Sequence, residues 1–366
     1  PPRVVVSGNI ATPHVVLAAV AEQLPHITLH ALNAQAGLPD RPGITMETCF
    51  VGPGMRRSSA LTYIPARLSM VPHLFNATCP PDIVIVHTSQ PVDGKVSLGV
   101  EVNVLPAAIE AARARGGVVI AQVNPQMPYT FGDSEISVDD IDFGIDVDAD
   151  LPSPQSIPID DVSRAIGNRV AHRVADGSTL QLGIGAVPDA VLASLQARRG
   201  LRIWSEMFSD GVLELERAGA LDPATPLVSS FLFGSQELYA WVDRNPRITM
   251  LRTEKTNEPA NIAANPAMTS VNTALEVDLY AQANAARVGG RIYSGFGGQT
   301  DFIVGALHSQ GGQAILALRS WHPRADVSTI VPLIDGPVTS FQATAIITDQ
   351  GTAPIWGYSQ QAQARL

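Results

Sequence analysis

Short apolar runs, each closed by glycine or proline and followed by a stretch of helical period, recur along this chain. Arg3-Val4-Val5-Val6-Ser7 has the unbroken apolar character of a strand buried on both faces. Gly8 to Pro13 then turns the chain, and His14 to Gln23 reads as a helix with proline at its start. Asp82-Ile83-Val84-Ile85-Val86-His87 is a second strand of the same kind. Asp93 to Gly99 follows as strand and loop, Pro106 to Arg115 as a helix ended by Gly116-Gly117, and Val118 to Val123 as a further strand. Parallel-type strands alternating with helices predict an α/β fold.

The pattern breaks over Ile145 to Asp161, an acidic, proline-interrupted stretch that reads as a joint between halves spanning 1–155 and 156–366. After it the same order returns. Thr179 to Leu182 leads into Gly183-Ile184-Gly185-Ala186-Val187-Pro188 and a helix from Asp189 to Gln196, with the Gly-to-Pro spacing of Gly8 to Pro13. Ala274 to Leu279 takes the place of the strand near Ile83, and Arg291 to Gly298 that of Lys95 to Gly99. A helical run ends at Gly311-Gly312, and Ala314 to Leu318 closes the series as a strand. Two pseudo-symmetric α/β halves with a cleft between them are the expected architecture; chance likeness of two strand–turn–helix units is the plain alternative. The repeat is unequal at one place: the second half has Trp204-Ser205-Glu206 where the first has His30-Ala31-Leu32-Asn33.

That inequality directs attention to Ile203-Trp204-Ser205-Glu206-Met207-Phe208-Ser209-Asp210-Gly211. Trp204, Met207 and Phe208 can strip water from the glutamate, which raises the free energy of its anion and makes it a better nucleophile or base. Ser209 and Asp210 suit an N-cap for the run Val212 to Arg217. A solvated glutamate in a turn is the bland reading. Gly183-Ile184-Gly185 follows a strand, but Pro188 stands at the third glycine position of a dinucleotide fingerprint, so it is weak evidence for NAD; the loop and helix start still offer N–H groups to an anion, with a plain joining turn as the equal alternative. In Ser294 to Phe302, the glycines at 295, 297 and 298 let main-chain N–H groups converge on a developing oxyanion, while Asp301 reads as the cap of a helix beginning near Phe302. Asn124-Pro125-Gln126-Met127-Pro128 and Gly132-Asp133-Ser134 put polar groups at the end of a strand, the side on which α/β sheets bind ligands.

Composition narrows the field. A formal net charge of -10 without a Lys/Arg cluster disfavours a nucleic-acid surface, though not a local basic pocket for a phosphorylated ligand. Cys49 and Cys79, the only cysteines, show no metal-type spacing, so a disulfide framework or metal site is not expected, and a reducing cytosol is the simpler setting. No apolar run is long enough to span a bilayer, and Pro1-Pro2-Arg3-Val4 does not read as a signal peptide. The eight histidines are scattered: His14, His26, His30 and His73 sit in helix or strand contexts, and His308 and His322 lack an acidic partner at triad or metal spacing. No Gly-x-Ser-x-Gly elbow is present, which argues against a serine hydrolase.

Gly183 to Val191, Ser205 to Gly211, Ala274 to Leu279 and Gly290 to Phe302, in that order, resemble the acetyl-CoA hydrolase/transferase family, with Val96 to Gly99 and the Asn124 to Asp133 loop extending the likeness over nearly the whole chain. The resemblance implies two tandem, pseudo-symmetric α/β domains of the CoA-transferase type (NagB/RpiA-like), Glu206 as nucleophile, and Gly297 and Gly298 as the oxyanion-stabilising turn. Gly183, Ile184, Gly185, Gln299, Asn124 and Met127 become candidates for CoA or substrate contact. It further implies acyl-CoA and small carboxylates as substrates, no tightly bound cofactor, no metal, no nucleic-acid or membrane partner, a homodimer and a cytoplasmic setting. Hydrolysis of the acyl-CoA and non-catalytic binding of CoA esters are the competing expectations. Two departures bear on the acceptor: Val304 stands where the family usually has arginine, and Thr348-Asp349-Gln350-Gly351 where it usually has Thr-Glu-Tyr-Gly. The family pattern would also continue beyond Leu366.

Overall fold

A computed structural model describes residues 1–154, 158–338 and 342–366. The expected boundary at 155/156 falls on 155–157, outside the described residues. Contacts divide the chain into two compact units. The first holds Pro1–Pro154, Val228–Thr256 and Tyr293–Gly297; the second holds the described residues up to Leu227, then Asn257–Ile292 and Gly298–Leu366.

The first unit is built on a sheet of seven parallel strands that the chain enters in the middle. Arg3–Val6 is central; Ile27–His30, Ile44–Thr48 and Leu61–Tyr63 are added in turn on one side, and Ile83–Thr88, Val118–Val123 and Phe143–Asp146 on the other. Val4, Val5, Val84, Ile85 and Val86 are wholly buried, as unbroken apolar strands in a two-faced parallel sheet must be. The first two strands on that side are hidden in the sequence by polar residues, of which the fold buries His30 and Glu47 as a pair. His30 Nδ1 lies 2.9 Å from Glu47 Oε1, and Arg3 Nε donates to the same oxygen at 3.0 Å. Burial works against the Glu47 anion, but the hydrogen bonds from His30 and Arg3 outweigh it and hold the carboxyl at about 2. The helices His14–Gln23 and Leu105–Arg113 form where their period predicts.

The second unit follows the same plan with a shorter first side. Thr179–Leu182 is flanked by Arg202–Ile203 on one side and by Met268–Asn272, Gln313–Ala317 and Ala345–Ile347 on the other, all parallel, with Thr352–Pro354 antiparallel at the edge. The strand that matches Ile83–Thr88 is therefore Met268–Asn272 and not Ala274 to Leu279, which the apolar pattern favoured. Glu276–Asp278 belongs instead to a small separate sheet with Ala283–Asn284 and Ile330–Val331. Met-Thr-Ser-Val-Asn looks too polar for a central strand, but its side chains satisfy one another: Ser270 Oγ donates to Gln181 Oε1 at 2.7 Å, and Asn272 Nδ2 donates to Ser270 Oγ at 2.8 Å.

Two helix starts also differ from expectation. The helix after Gly185 begins at Ala186 and runs to Ser194, so Pro188 lies in its first turn. Gln299–His308 is capped at Gly298, leaving Asp301 inside the first turn and fully buried, not at the cap. Among the described residues no helix is long and apolar enough to cross a membrane, and no group of His, Cys, Asp and Glu could hold a metal ion.

Candidate active site

Glu206 hangs from the edge of the second unit's sheet. Arg202–Ile203 pairs with Thr179–Leu182, Trp204 N–H donates to Leu180 O at 3.1 Å, and Ser205 Oγ donates to Leu182 O at 3.2 Å, so the chain is pinned on both sides of Trp204 before it leaves the sheet. Trp204 packs against the buried cluster of Ile262, Met268, Phe302 and Ala306, and Met207 and Phe208 are buried. Ser209 then takes the N-cap position of helix Asp210–Arg217, but its side chain makes no capping bond; Oγ lies 3.5 Å from Asp189 Oδ1 instead.

The half-buried carboxylate of Glu206 accepts a hydrogen bond from Asn257 Nδ2 at 2.8 Å. Gly298 lies against the same two groups: a Cβ at residue 298 would fall on Glu206 Oε2 and Asn257 Nδ2. Only glycine lets the start of helix Gln299–His308 come so close to the carboxylate. Desolvation pushes the Glu206 carboxyl up; the Asn257 bond works against this, the nearby Asp301 charge adds to it, and the outcome is about 7. A carboxylate ionised in about half of the molecules at neutrality, yet poorly hydrated, is a stronger nucleophile than a solvated one.

The other candidates separate. Gly183 and Gly185 flank Ile184 in a turn where added Cβ atoms would meet nothing within 4 Å, and Ile184 is 40% exposed. Gln299 opens its helix, its Nε2 donating to Thr273 O at 3.3 Å. These lie in the second unit with Glu206 and Gly298. Gly297, Asn124 and Met127 lie in the first. Gly297 has φ 56 and accepts at its carbonyl from Leu68 N–H at 2.9 Å. Asn124 is buried, donates to Ala149 O at 2.7 Å and lies 3.0 Å from His87 Nε2; Met127 is buried against Gly99. Asn257 was not foreseen. It stands 51 residues from Glu206 in a Thr-Asn-Glu-Pro run that carries no chemical signature by itself.

Comparison with known proteins identifies the family. Residues 4–156 match the acetyl-CoA hydrolase/transferase N-terminal domain, and 234–366 match the C-terminal domain. A 4-hydroxybutyrate coenzyme A transferase of Clostridium kluyveri is 38% identical over 320 residues, covering 84% of this chain and 74% of its own. The crystal structure of a 4-hydroxybutyrate CoA-transferase from Porphyromonas gingivalis is 32% identical, with a TM-score of 0.83 over 99% of this chain and 88% of that one. RipA from Yersinia pestis is 26% identical, with a TM-score of 0.92 over 100% and 89%. With both domains matched in order and relatives of this similarity along most of its length, the chain belongs to the acetyl-CoA hydrolase/transferase family.

Proposed function

We propose that the protein is a CoA-transferase in which Glu206 alternates between a mixed anhydride and a thioester. A Glu206 oxygen attacks the thioester carbonyl of an acyl-CoA; the C–S bond breaks, CoA leaves as thiolate, and an acyl-glutamyl anhydride remains. The thiolate then attacks the Glu206 carbonyl, the anhydride C–O bond breaks, and the first carboxylate departs, leaving glutamyl-CoA. A second carboxylate reverses the two steps and leaves as the new acyl-CoA. Each addition builds an oxyanion, and Gly297 and Gly298, at the N-terminus of a ten-residue helix, supply main-chain N–H groups for it. Gly183, Ile184, Gly185, Gln299, Asn124 and Met127 contact CoA or the acids in this reading.

The observation that carries it is the Glu206 carboxyl, poorly hydrated, held by Asn257 and approached by the Gly298 backbone. Hydrolysis is the second reading, favoured by the family's own description; water then replaces the acceptor acid. In either case no tightly bound cofactor is needed, and the resemblance supports a cytoplasmic homodimer. The test is to incubate the protein with several acyl-CoAs, digest it, and seek CoA on the Glu206 peptide by mass spectrometry. Modification of a different residue, or none with any donor, removes the mechanism. CoA release that does not depend on added carboxylate selects hydrolysis.

A further inference from the structure

The helix Gln299–His308 presents one face to Glu206. Its cap, Gly298, lies against Glu206 Oε2 and Asn257 Nδ2, and Phe302 packs with Ile262, Met268 and Ala306 in the cluster that takes in Trp204. A Cβ at Gly305 would fall on the Ile262 side chain. Residues 298, 301, 302 and 305 share this face, because positions three and four apart stand one above the other on a helix. Ile303 is turned the other way, into the cluster of Val277, Ala314 and Leu316. Asp301 therefore stands one turn beyond Gly298 on the side of Glu206, and it is 0% exposed.

A carboxylate buried there is more than a helix cap. Capping needs only an oxygen at the helix end, whereas taking a charge out of water costs free energy that an apolar residue would not. Its place as third residue of the helix favours the anion through the helix dipole. The elements packed most closely on this helix bring no other titratable side chain: helix Pro259–Ala263 has none, and neither have the strands Met268–Asn272 and Gln313–Ala317. The charged groups near the Glu206 segment are directed elsewhere. Arg202 Nε lies 3.4 Å from Asp222 Oδ2, Asp189 meets Ser209 and feels the Asp210 charge, and Glu258 is exposed. Desolvation raises the Glu206 carboxyl, the Asn257 bond opposes this, and the Asp301 charge adds to the rise that ends at about 7.

We propose that Asp301 is a positioning residue for the transfer reaction: its buried negative charge, one helical turn beyond Gly298, acts on Glu206 and makes that carboxylate the stronger nucleophile. The proposal rests on the reading of Glu206 as the nucleophile. Asp301 touches neither the substrate nor the reacting atoms in this role. Attack on the thioester converts the Glu206 anion into a neutral acyl-glutamyl anhydride, so the repulsion between the two charges is relieved as the bond forms, which speeds the step.

The test follows Glu206 directly. Carbon-13 carboxyl spectra of the full chain are recorded against pH for wild type, Asp301→Asn and Asp301→Glu, with Glu206→Gln identifying the Glu206 signal. Asp301→Asn should lower the Glu206 midpoint by about one pH unit, the scale of a nearby like charge removed, and Asp301→Glu should keep it close to that of wild type. In turnover the acid limb of kcat/KM should move down with the midpoint, so that the rate near about pH 5.5, relative to each protein's own plateau, rises about eightfold in Asp301→Asn. The plateau itself should fall by a factor of a few, because nucleophilicity falls with basicity. A midpoint unmoved in Asp301→Asn, with activity lower at every pH, is the result of a merely structural role and overturns the proposal. An equal fall of the midpoint in both variants does the same. Should Asp301→Asn fail to fold, the wild-type spectra decide: one aspartate signal should shift through the Glu206 midpoint and cease to do so in Glu206→Gln, and no such aspartate overturns the proposal. CoA labelling of the Glu206 peptide is measured separately. An unmoved midpoint with labelling intact counts against Asp301 alone, and a moved midpoint without labelling counts against the nucleophile alone.

Discussion

After the strand Arg3–Val6 the chain turns through Gly8, Asn9 and Pro13; after Thr179–Leu182 it turns through Gly183, Gly185 and Pro188. In the first unit the turn is filled. Gly8 lies so close to the Leu32 backbone that a Cβ would fall on the Leu32 carbonyl oxygen, and Asn9 to Ala11 are buried as a short 3₁₀ turn. Asn9 donates to Glu101 Oε2 at 2.7 Å and accepts from Asn33 at 2.7 Å, and Asn103 donates to Glu101 Oε1 at 3.2 Å. In the second unit the equivalent turn stands open, its glycines facing empty space at the edge of a cavity of about 420 Å³. The difference is one of filling: the first turn is packed with mutually satisfied amides, and the second leaves the space beside its glycines empty.

The units also each hold a carboxyl whose titration burial pushes up to about 7. Glu101 is 2% exposed and sits among Asn9, Asn103 and the Gly8 backbone; Glu206 is half-buried with Asn257 at one oxygen. A shared titration therefore does not mark a nucleophile. What separates the two is access and the neighbouring helix start.

The sharpest way to break this comparison is to remove each carboxyl. Glu206→Ala should lower CoA transfer by on the order of 10⁴-fold or more, as loss of a covalent nucleophile does, with the thermal midpoint little changed. Glu101→Gln should leave kcat within a few-fold, and equal losses from both variants would end the distinction. Next in size, Gly298→Ala drives a methyl into Glu206 and Asn257, and kcat should fall about 10²-fold, the scale of a lost oxyanion contact. A circular dichroism spectrum like that of wild type would place that loss in the site rather than the fold.

The pH dependence sharpens the comparison in opposite directions. In the proposed mechanism the Glu206 anion attacks, so kcat/KM should fall as pH drops below about 7. For Glu101 the folded carboxyl titrates above its unfolded value of 4.5. Its contribution to stability is full below the unfolded value and is lost as pH rises toward 7, about 3 kcal/mol at most by the linkage of shift to free energy. The thermal midpoint should decline between about pH 4.5 and pH 7, and Glu101→Gln should lessen that decline, the part from Glu206 remaining. Rotation of the Asn103 amide, whose Oδ1 has no partner, can accept the new NH₂ group.

Smallest in activity but clear in stability is the pair Gly8→Ala and Gly183→Ala. The first meets backbone and should cost roughly 2–4 kcal/mol; the second meets open space and should stay within about 0.5 kcal/mol. Urea midpoints of the two variants decide this, and a similar cost for both would contradict the filled-versus-open contrast.

Much of the fold is legible from the valine- and isoleucine-rich strands, because a strand buried on both faces has no room for polar side chains unless they pair. The sequence reading fails where they do pair. Met268–Asn272 is central in its sheet and reads as polar, since its serine and asparagine are satisfied by Gln181, a residue from a different strand. Asp301 shows the converse error: a carboxyl in the right place for a cap turns out to be buried beside Glu206. Asn257 could not be found locally, because its meaning depends on a glutamate 51 residues away.

The sequence by itself determined the alternation of elements, the doubled turn and the glutamate set among apolar neighbours, because each depends on residues within a few positions of one another. Tertiary structure alone decided which strand completes the second sheet, which amide holds Glu206 and which of the two glycine turns stays open. Those outcomes depend on which distant polar groups meet and satisfy each other, and on whether a neighbouring backbone fills the space beside a glycine.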